Sequence, residues 1–422
     1  MEIRPFRSIH YNEEKIGSMD KVITQPYDKI PPELQKKYYD MSEYNFCRLI
    51  LPIEEDRYDV ASRRLGKWLT ENVLETDQEQ GIYIYFQEFE VLGKKHIRKG
   101  FVSAVKLYPF EDGVVLPHEQ THKGPKIDRL NMLRATQVNL EPGFMLYSDP
   151  EHTIISIFDE VSGSDPDFEA VDGYGVRSRV WRITAPSSIE KIRKVLQDQQ
   201  VVIADGHHRY ETAVSHRDDM RAKMDWTEDS AFNYRMTYMV PVEDPGLIVL
   251  PGHRLLLSHE FTREHLDSLG EFFDISGVDD VEGFLSSNKE IISFVVYDGN
   301  GYTGLRLRDK HSIDEFFPKD YSEDYKGLDV VILRDVIFNG IMKTGPLDID
   351  ETIAYERWTK DAVARVDEGD ATVAFLVNAT KPDQVLRTAK NGERMPEKST
   401  DFYPKVNSGF LIMNIGPEER IP

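Results

Sequence analysis

The chain has 422 residues, with 74 acidic side chains against 52 basic ones and a formal net charge of -22. That length sets a prior of two domains, with three allowed. Hydrophobic residues at 40% and charged residues at 30% exclude a disordered chain, and the acidic balance disfavours nucleic acid as a partner. The single cysteine, Cys47, excludes an intrachain disulfide and argues against a Cys-based zinc site.

The amino terminus, MEIRPFRSIH, lacks the apolar stretch of a signal peptide. Apolar runs such as IISFVVY (291–297) fall far short of a membrane span. A soluble, cytoplasmic protein is expected, with no membrane or nucleic-acid partner and an open oligomeric state.

In chain order, RYDVASRRLGKWLTENV (57–73) has apolar residues at helical spacing and reads as an amphipathic helix. Residues 81–91 and 100–110 are rich in Tyr, Ile and Phe and read as strands. Joined through LGKKHIRK, they predict a long hairpin and an antiparallel or mixed sheet. Gly124-Pro125 and Pro142-Gly143 bracket a helix over 126–140. Residues 159–175, rich in Asp, Gly and Ser, read as a surface loop. A strand near 178–184 and a helix near 187–198 follow. VVIA (201–204) is a short apolar strand, and helical spacing resumes from Arg209.

The second half begins near Glu243-Asp244-Pro245-Gly246. LIVLP, ISFVVYD and GYTGLRLR read as strands and 328–343 as an apolar, buried helix. Residues 352–369 read as a helix, 371–378 as a strand, and 382–392 as a helix with a glycine stop. The expected organisation is α+β, with one domain over 1–243 and a second over 244–422.

The sharpest chemical feature is the strand–turn–helix unit at ADGHHRYETA (204–213). A helix N-terminus offers backbone N–H groups and a partial positive charge. Gly206 permits close backbone approach, and His207, His208 and Arg209 add donors at the same place. An anion, above all a phosphate, suits such a turn. Asp205 would cap the helix or help hold Mg²⁺ beside the phosphates. The plainer alternative is that Asp205 only caps and the histidines only pack.

PHEQTH presents His118-Glu119-x-x-His122, the spacing of a zinc protease, but Pro117 and Gly124-Pro125 leave only a short helix to hold it. Glu119 suits a different role, accepting a proton from an attacking hydroxyl or ligating Mg²⁺. Lys126 and Arg129, at i and i+3, share a helix face and would pin phosphate oxygens, or would form a solvated charged face. MPEKSTDFYPK (395–405) gathers Lys398, Ser399, Thr400, Tyr403 and Lys405 on a loop stiffened by Pro396 and Pro404. Lys398, Ser399 and Thr400 would contact phosphate or substrate, unless the loop is purely structural. In QPYDKI (25–30), Tyr27 would stack on a base and Asp28 would bind metal or substrate; a simple turn is equally consistent. No Gly-x-x-x-x-Gly-Lys-Ser/Thr sequence occurs, which excludes a P-loop mechanism.

ADGHHRYETA resembles the hallmark of a family of conserved bacterial and archaeal proteins catalogued as a domain of unknown function. IRPFRSI (3–9), QPYDKI (25–30), PHEQTHKGPKIDRL (117–130), DPGLIVLPGHRLL (244–256) and MPEKSTDFYPKVNSG (395–409) resemble its other segments in order. The turn is also similar to the Gly-x-x-Arg phosphate loop of the ParB/sulfiredoxin superfamily, which includes kinases of free serine. That resemblance implies a ParB/sulfiredoxin-like mixed-sheet first domain, with the second α+β domain contributing a loop to the site.

It implies a phosphotransferase moving a phosphoryl group from ATP or ADP, with Mg²⁺, to a small hydroxylated metabolite such as free L-serine. His118, Glu119 and Asp205 would be catalytic, with Glu119 as base. Residues 206–209, Lys126, Arg129 and Lys398, Ser399 and Thr400 would hold the nucleotide. Tyr27, Asp28, Thr121 and Lys405 would hold substrate, and Asp205 and Asp28 the metal. Two rival readings are a nucleotide-binding regulatory module and a zinc hydrolase at His118 and His122.

Overall fold

The computed structural model describes residues 1–119, 124–317, 321–349 and 351–422. The architecture is α+β. The chain divides into two compact units: Met1–Pro117, Thr121–Ile248 and Pro404–Pro422 form the first, and His118–Gln120 with Val249–Tyr403 form the second. Residues 243–246 thus lie in the first unit, and the chain re-enters it at Pro404. This differs from the simple division at 243/244, because strand pairing draws the last residues back to the first.

The first unit is built on a mixed sheet. Its strands are β1 (Ile3–Arg4), β2 (Ile82–Val91), β3 (Lys94–Lys106), β4 (Val115–Leu116), β5 (Gly143–Tyr147), β6 (Phe168–Val171), β7 (Arg177–Ile183), β8 (Val201–Asp205) and β9 (Tyr234–Pro241). They are ordered β4-β8-β5-β9-β3-β2-β7-β6, with β1 paired to β3. β8 runs parallel to β4, and β9 parallel to β5; the other pairs are antiparallel. Along β2 the alternation sends Ile82, Ile84 and Phe86 into a core with Phe101, Phe158, Trp181 and Ile192. Tyr83 and Tyr85, on the opposite face, are just as buried, so this strand is covered on both sides.

Around the sheet lie helices α1 (Arg57–Thr70), α2 (Gly124–Thr136), α3 (Thr153–Val161), α4 (Pro186–Leu196) and α5 (His207–Lys223). α2 packs against α5. A smaller antiparallel sheet joins Leu74–Thr76, Ser8–Tyr11, Ile412–Asn414 and Val138–Asn139.

The second unit carries a sheet of β10 (His253–Leu256), β11 (Phe273–Gly277), β12 (Ser293–Tyr297), β13 (Tyr302–Leu307), β14 (Ile353–Glu356) and β15 (Val373–Val377), ordered β11-β13-β12-β15-β10-β14. Every pair is antiparallel. Leu256, Phe294, Val296 and Phe375 face one core, and Leu255, Val295, Ala374 and Leu376 face another. Its helices include α6 (Asp329–Ile332), α7 (Thr359–Asp367) and α8 (Pro382–Lys390), with α6 running directly into a π-helix over Leu333–Met342. Among the described residues, no helix is long and apolar enough to cross a membrane.

Several elements depart from the sequence expectation. The β2–β3 hairpin turns on Leu92-Gly93 alone, both at positive φ, and the charged KKHIRK lies in strand β3. Such a two-residue turn matches the twist of the flanking strands. Residues 159–175 are not all loop: α3 extends to Val161, and Phe168–Val171 pairs with β7 across a turn where the Asp172 carboxylate accepts from the amides of Tyr174 and Val176. The segment 352–369 divides into β14 and α7, because Ile353 and Tyr355, good strand formers, pair with β10. The helix over 328–343 is mostly π-helical.

Candidate functional site

In the first unit, β8 ends at Asp205 and α5 begins at His207. Between them Gly206 caps the helix at φ 88°, a left-handed conformation suited to glycine. A Cβ there would stand 2.8 Å from Arg209 Nε and 2.9 Å from its Nη2. Glycine therefore lets the Arg209 guanidinium fold back over the cap. As glycine brings no capping side chain, the first amides of α5 are left to backbone, solvent or ligand.

The Asp205 carboxylate accepts from the Gly206 amide at 3.0 Å and pairs with Arg209 Nη2 at 3.3 Å. Arg209 Nη1 donates to the Pro142 carbonyl at 2.9 Å. Burial would raise the Asp205 carboxyl, but the positive field of Lys405, Arg209, Lys29 and His207 holds it well below the usual carboxylate range. Burial likewise opposes the charge on Arg209, and Asp205, Glu141, Asp28 and Tyr27 more than offset it, so the guanidinium stays cationic. His207 and Arg209 are buried, His208 is partly exposed, and Asp28 is exposed.

Arg129 on α2 lies over the Tyr27 ring, 4.0 Å from its centroid, and donates to the Ile50 carbonyl. Tyr27 therefore carries a guanidinium on a face expected to meet a base. Its hydroxyl is pushed up to about 12, by burial first and then by Asp28. The Tyr27 amide donates to Glu141 Oε1 at 3.0 Å, and Arg129 Nη1 lies 3.9 Å from Glu141 Oε2. Lys126 points from α2 to α5, pairing with Glu211 at 2.9 Å. Sequence segments at 25–30, 126–129, 205–209 and 405 thus share one electrostatic neighbourhood in this unit.

Sequence reasoning missed Glu141 and Arg235. Arg235, on β9, is 4% exposed, and burial together with Arg209 pushes its guanidinium down to about 9. Its Nη2 donates to the Glu141 carbonyl at 3.0 Å, while Nε lacks a hydrogen-bond partner. Arg129, Arg209, Arg235, Asn139 and Glu141, with Met132, Leu133 and Leu140, line a cavity of about 40 Å³, room for one or two waters. The available signal was one arginine inside the apolar strand YRMTYMVP.

In the second unit, His118 is fully buried, and its Nε2 lies 2.9 Å from Thr400 Oγ1. The His118 carbonyl accepts from the Met395 amide, and Glu119 bridges to Met395 in parallel register. Lys398 is exposed at φ 54°. Ser399 is buried with its hydroxyl donated to the Pro396 carbonyl, an inward-turned position. This unit therefore gathers His118, Glu119, Lys398, Ser399 and Thr400 along one strip of backbone. Thr121 and His122 lie outside the described residues. Among the described residues, no group of three His, Cys, Asp or Glu side chains is placed to hold a metal.

The family model described as "Protein of unknown function (DUF1015)" matches residues 3–331. The chain belongs to this family. The family's stretch takes in the turn at 205–209 and ends within α6, just before the π-helix. No curated protein matches the sequence.

Among solved structures, a mutant free serine kinase in complex with ADP is similar at 13% identity, covering 70% of this chain and 89% of that one with a TM-score of 0.33. SbnI from Staphylococcus aureus, truncated at its C-terminus, is similar at 8% identity, covering 74% and 87% with a TM-score of 0.37. A conserved hypothetical protein from Pyrococcus furiosus is similar at 13% identity, covering 70% and 92% with a TM-score of 0.31.

Proposed function

We propose that the chain binds a nucleotide through the turn at 205–209 and transfers a phosphoryl group from ATP or ADP to a small hydroxylated metabolite. The observation that carries this reading is the charge around one glycine cap. Arg209, Lys29, Lys405 and His207 all act on Asp205 at the N-terminus of a 17-residue helix. Phosphate oxygens are the ligand that such a cap and such a field favour together.

Gly206, His207, His208 and Arg209 would hold the phosphates, with Lys126 and Arg129 adding charge. Asp205 stays ionised and is partly exposed, which fits a carboxylate that shares Mg²⁺ with phosphate oxygens; Asp28 is the second candidate. Mg²⁺ would supply charge neutralisation for the phosphates. Glu119 would act as base toward the acceptor hydroxyl, with His118, ordered by Thr400, beside it. Lys398 and Thr400 would add phosphate contacts, with Ser399, turned inward on Pro396, bracing the loop, and Tyr27, Thr121 and Lys405 would add substrate contacts. Free L-serine is the acceptor we name, on the resemblance of the turn to that of the serine kinases.

A second reading, a regulatory module that binds nucleotide without acceptor turnover, rests on the same turn. Phosphorus NMR of ATP or ADP with Mg²⁺, with and without L-serine, separates the two. New phosphoserine supports the transferase. Nucleotide binding without acceptor-dependent product rejects it in favour of the regulatory reading. Stoichiometric zinc on metal analysis would instead favour a hydrolase at His118 and His122.

A further inference from the structure

The second unit holds a partly open cavity of about 280 Å³, large enough for about nine liquid-water equivalents or a ligand of similar atom count. Its walls come from Arg254 on β10, Tyr355 on β14, Arg334, Phe338 and Asn339 on the π-helix, and Glu397. π-helices are rare and concentrate at functional sites, and this one spans ten residues. Gly340 permits it to pack closely, since a Cβ there would stand 2.3 Å from the Phe316 ring.

The two arginines differ. Arg334 is neutralised by Asp335, with hydrogen bonds at 2.6 and 2.8 Å, and also donates to the Tyr325 hydroxyl. Arg254 is 3% exposed and has no carboxylate within ion-pair distance among the described residues. Its donors reach only the carbonyls of Gly252 and Lys398, and its guanidinium lies 5.5 Å from the Tyr355 ring centroid. Burial pushes it down to about 10, opposed in part by Tyr355 and the Asp329 carboxyl. A buried cation without a carboxylate in contact is costly, and here it borders an open volume. Val330, Phe338, Leu347 and Ile353 make the remaining wall apolar.

We infer that this cavity binds a small organic carboxylate with an apolar body, its carboxylate on Arg254 and its body against Phe338 and Leu347. A guanidinium with no carboxylate in contact matches a single negative charge, which favours a carboxylate over a phosphate dianion. The planar fork of arginine also suits carboxylate geometry. The site is built from residues of the second unit alone, next to the Lys398 loop that the proposed function also uses.

The test uses the full chain with phenylacetate and its uncharged isostere, phenylacetamide, by titration calorimetry and crystallography. Phenylacetate is expected in the cavity with its carboxylate on Arg254, and the amide is expected to bind at least about tenfold more weakly, or about 1.4 kcal/mol. Arg254→Met should abolish binding. Because Arg254 is buried, Asn339→Trp serves as the second variant. Asn339 is exposed at the cavity wall, so the indole should fill the space while the melting temperature holds. Equal affinity for acid and amide, unchanged binding in Asn339→Trp, or a cavity holding only water at saturating phenylacetate would each overturn the inference.

Discussion

The Asp205 carboxylate and the Arg209 guanidinium meet at 3.3 Å across the first turn of α5, with Gly206 between them. The pair fixes the direction of the arginine: one nitrogen holds Pro142, another holds Asp205, and the whole group lies over the glycine cap. Conformational freedom at residue 206 and charge at residue 209 are therefore one device.

Arg209→Lys should weaken ADP binding by about 10- to 100-fold, because an ammonium cannot reproduce the fork that reaches both Asp205 and a phosphate. Calorimetry with ADP reads the affinity, and thermal unfolding confirms the fold. Unchanged affinity would remove the phosphate assignment.

Asp205 links the turn to acid stability. Its carboxyl titrates below the usual range, so its stabilisation is present above the unfolded value of about 3.9 and is lost as pH falls below it. Asp205→Asn should cost about 1.5–3 kcal/mol at pH 7, the worth of a charged hydrogen bond. The gap between variant and parent should close toward pH 2. Urea unfolding at several pH values reads the slope, and a pH-independent gap would reject the assignment.

His216, on α5, is 2% exposed with neither ring nitrogen hydrogen-bonded, and burial pushes it down to about 4. With the folded value below the unfolded one, its contribution is intact above about 6.5 and declines as pH falls through 6.5 toward 4. His216→Leu should match or exceed the parent's stability at pH 7, since it removes unsatisfied polar atoms. It should also flatten the melting-temperature profile between pH 6.5 and 4. A loss of more than about 2 kcal/mol at pH 7 would indicate a polar role for the ring.

Gly246 lies against strand β3, where a Cβ would stand 2.0 Å from the Ile97 carbonyl oxygen. Asp244 clamps the same turn, accepting from the Gly246 amide at 2.8 Å and from Lys99 at 3.3 Å. Gly246→Ala should cost more than about 3 kcal/mol, as the backbone must move. Gly175→Ala, at φ 78° with open space around it, should cost only about 1 kcal/mol. Paired denaturation curves test the contrast.

The α+β organisation, the β2–β3 hairpin and the strand–turn–helix at 201–213 were legible in the sequence, because alternation, glycine placement and helical spacing are local signals. What escaped was non-local. Ile353–Glu356 reads as helix by its continuation into α7 and becomes strand only because His253–Leu256 lies beside it. The π-helix at 333–342 has the composition of any buried helix. In the site, the residues of the turn were legible, but Glu141 and Arg235 were not. One lies two residues before Gly143 and the other is the second residue of an apolar strand, and only the fold brings them to Arg209.

Strand Ile412–Asn414 is hydrogen-bonded on one side to Ser8–Tyr11 and on the other to Val138–Asn139. During synthesis that sheet cannot close until residue 414 has left the ribosome, whereas Val249–Tyr403 emerges as one continuous stretch. The second unit thus needs no residue beyond Tyr403, whereas the first needs its final strand. A released chain ending at Tyr403 should yield a protease-resistant second unit beside an incomplete first, the reverse of the usual N-terminal-first order.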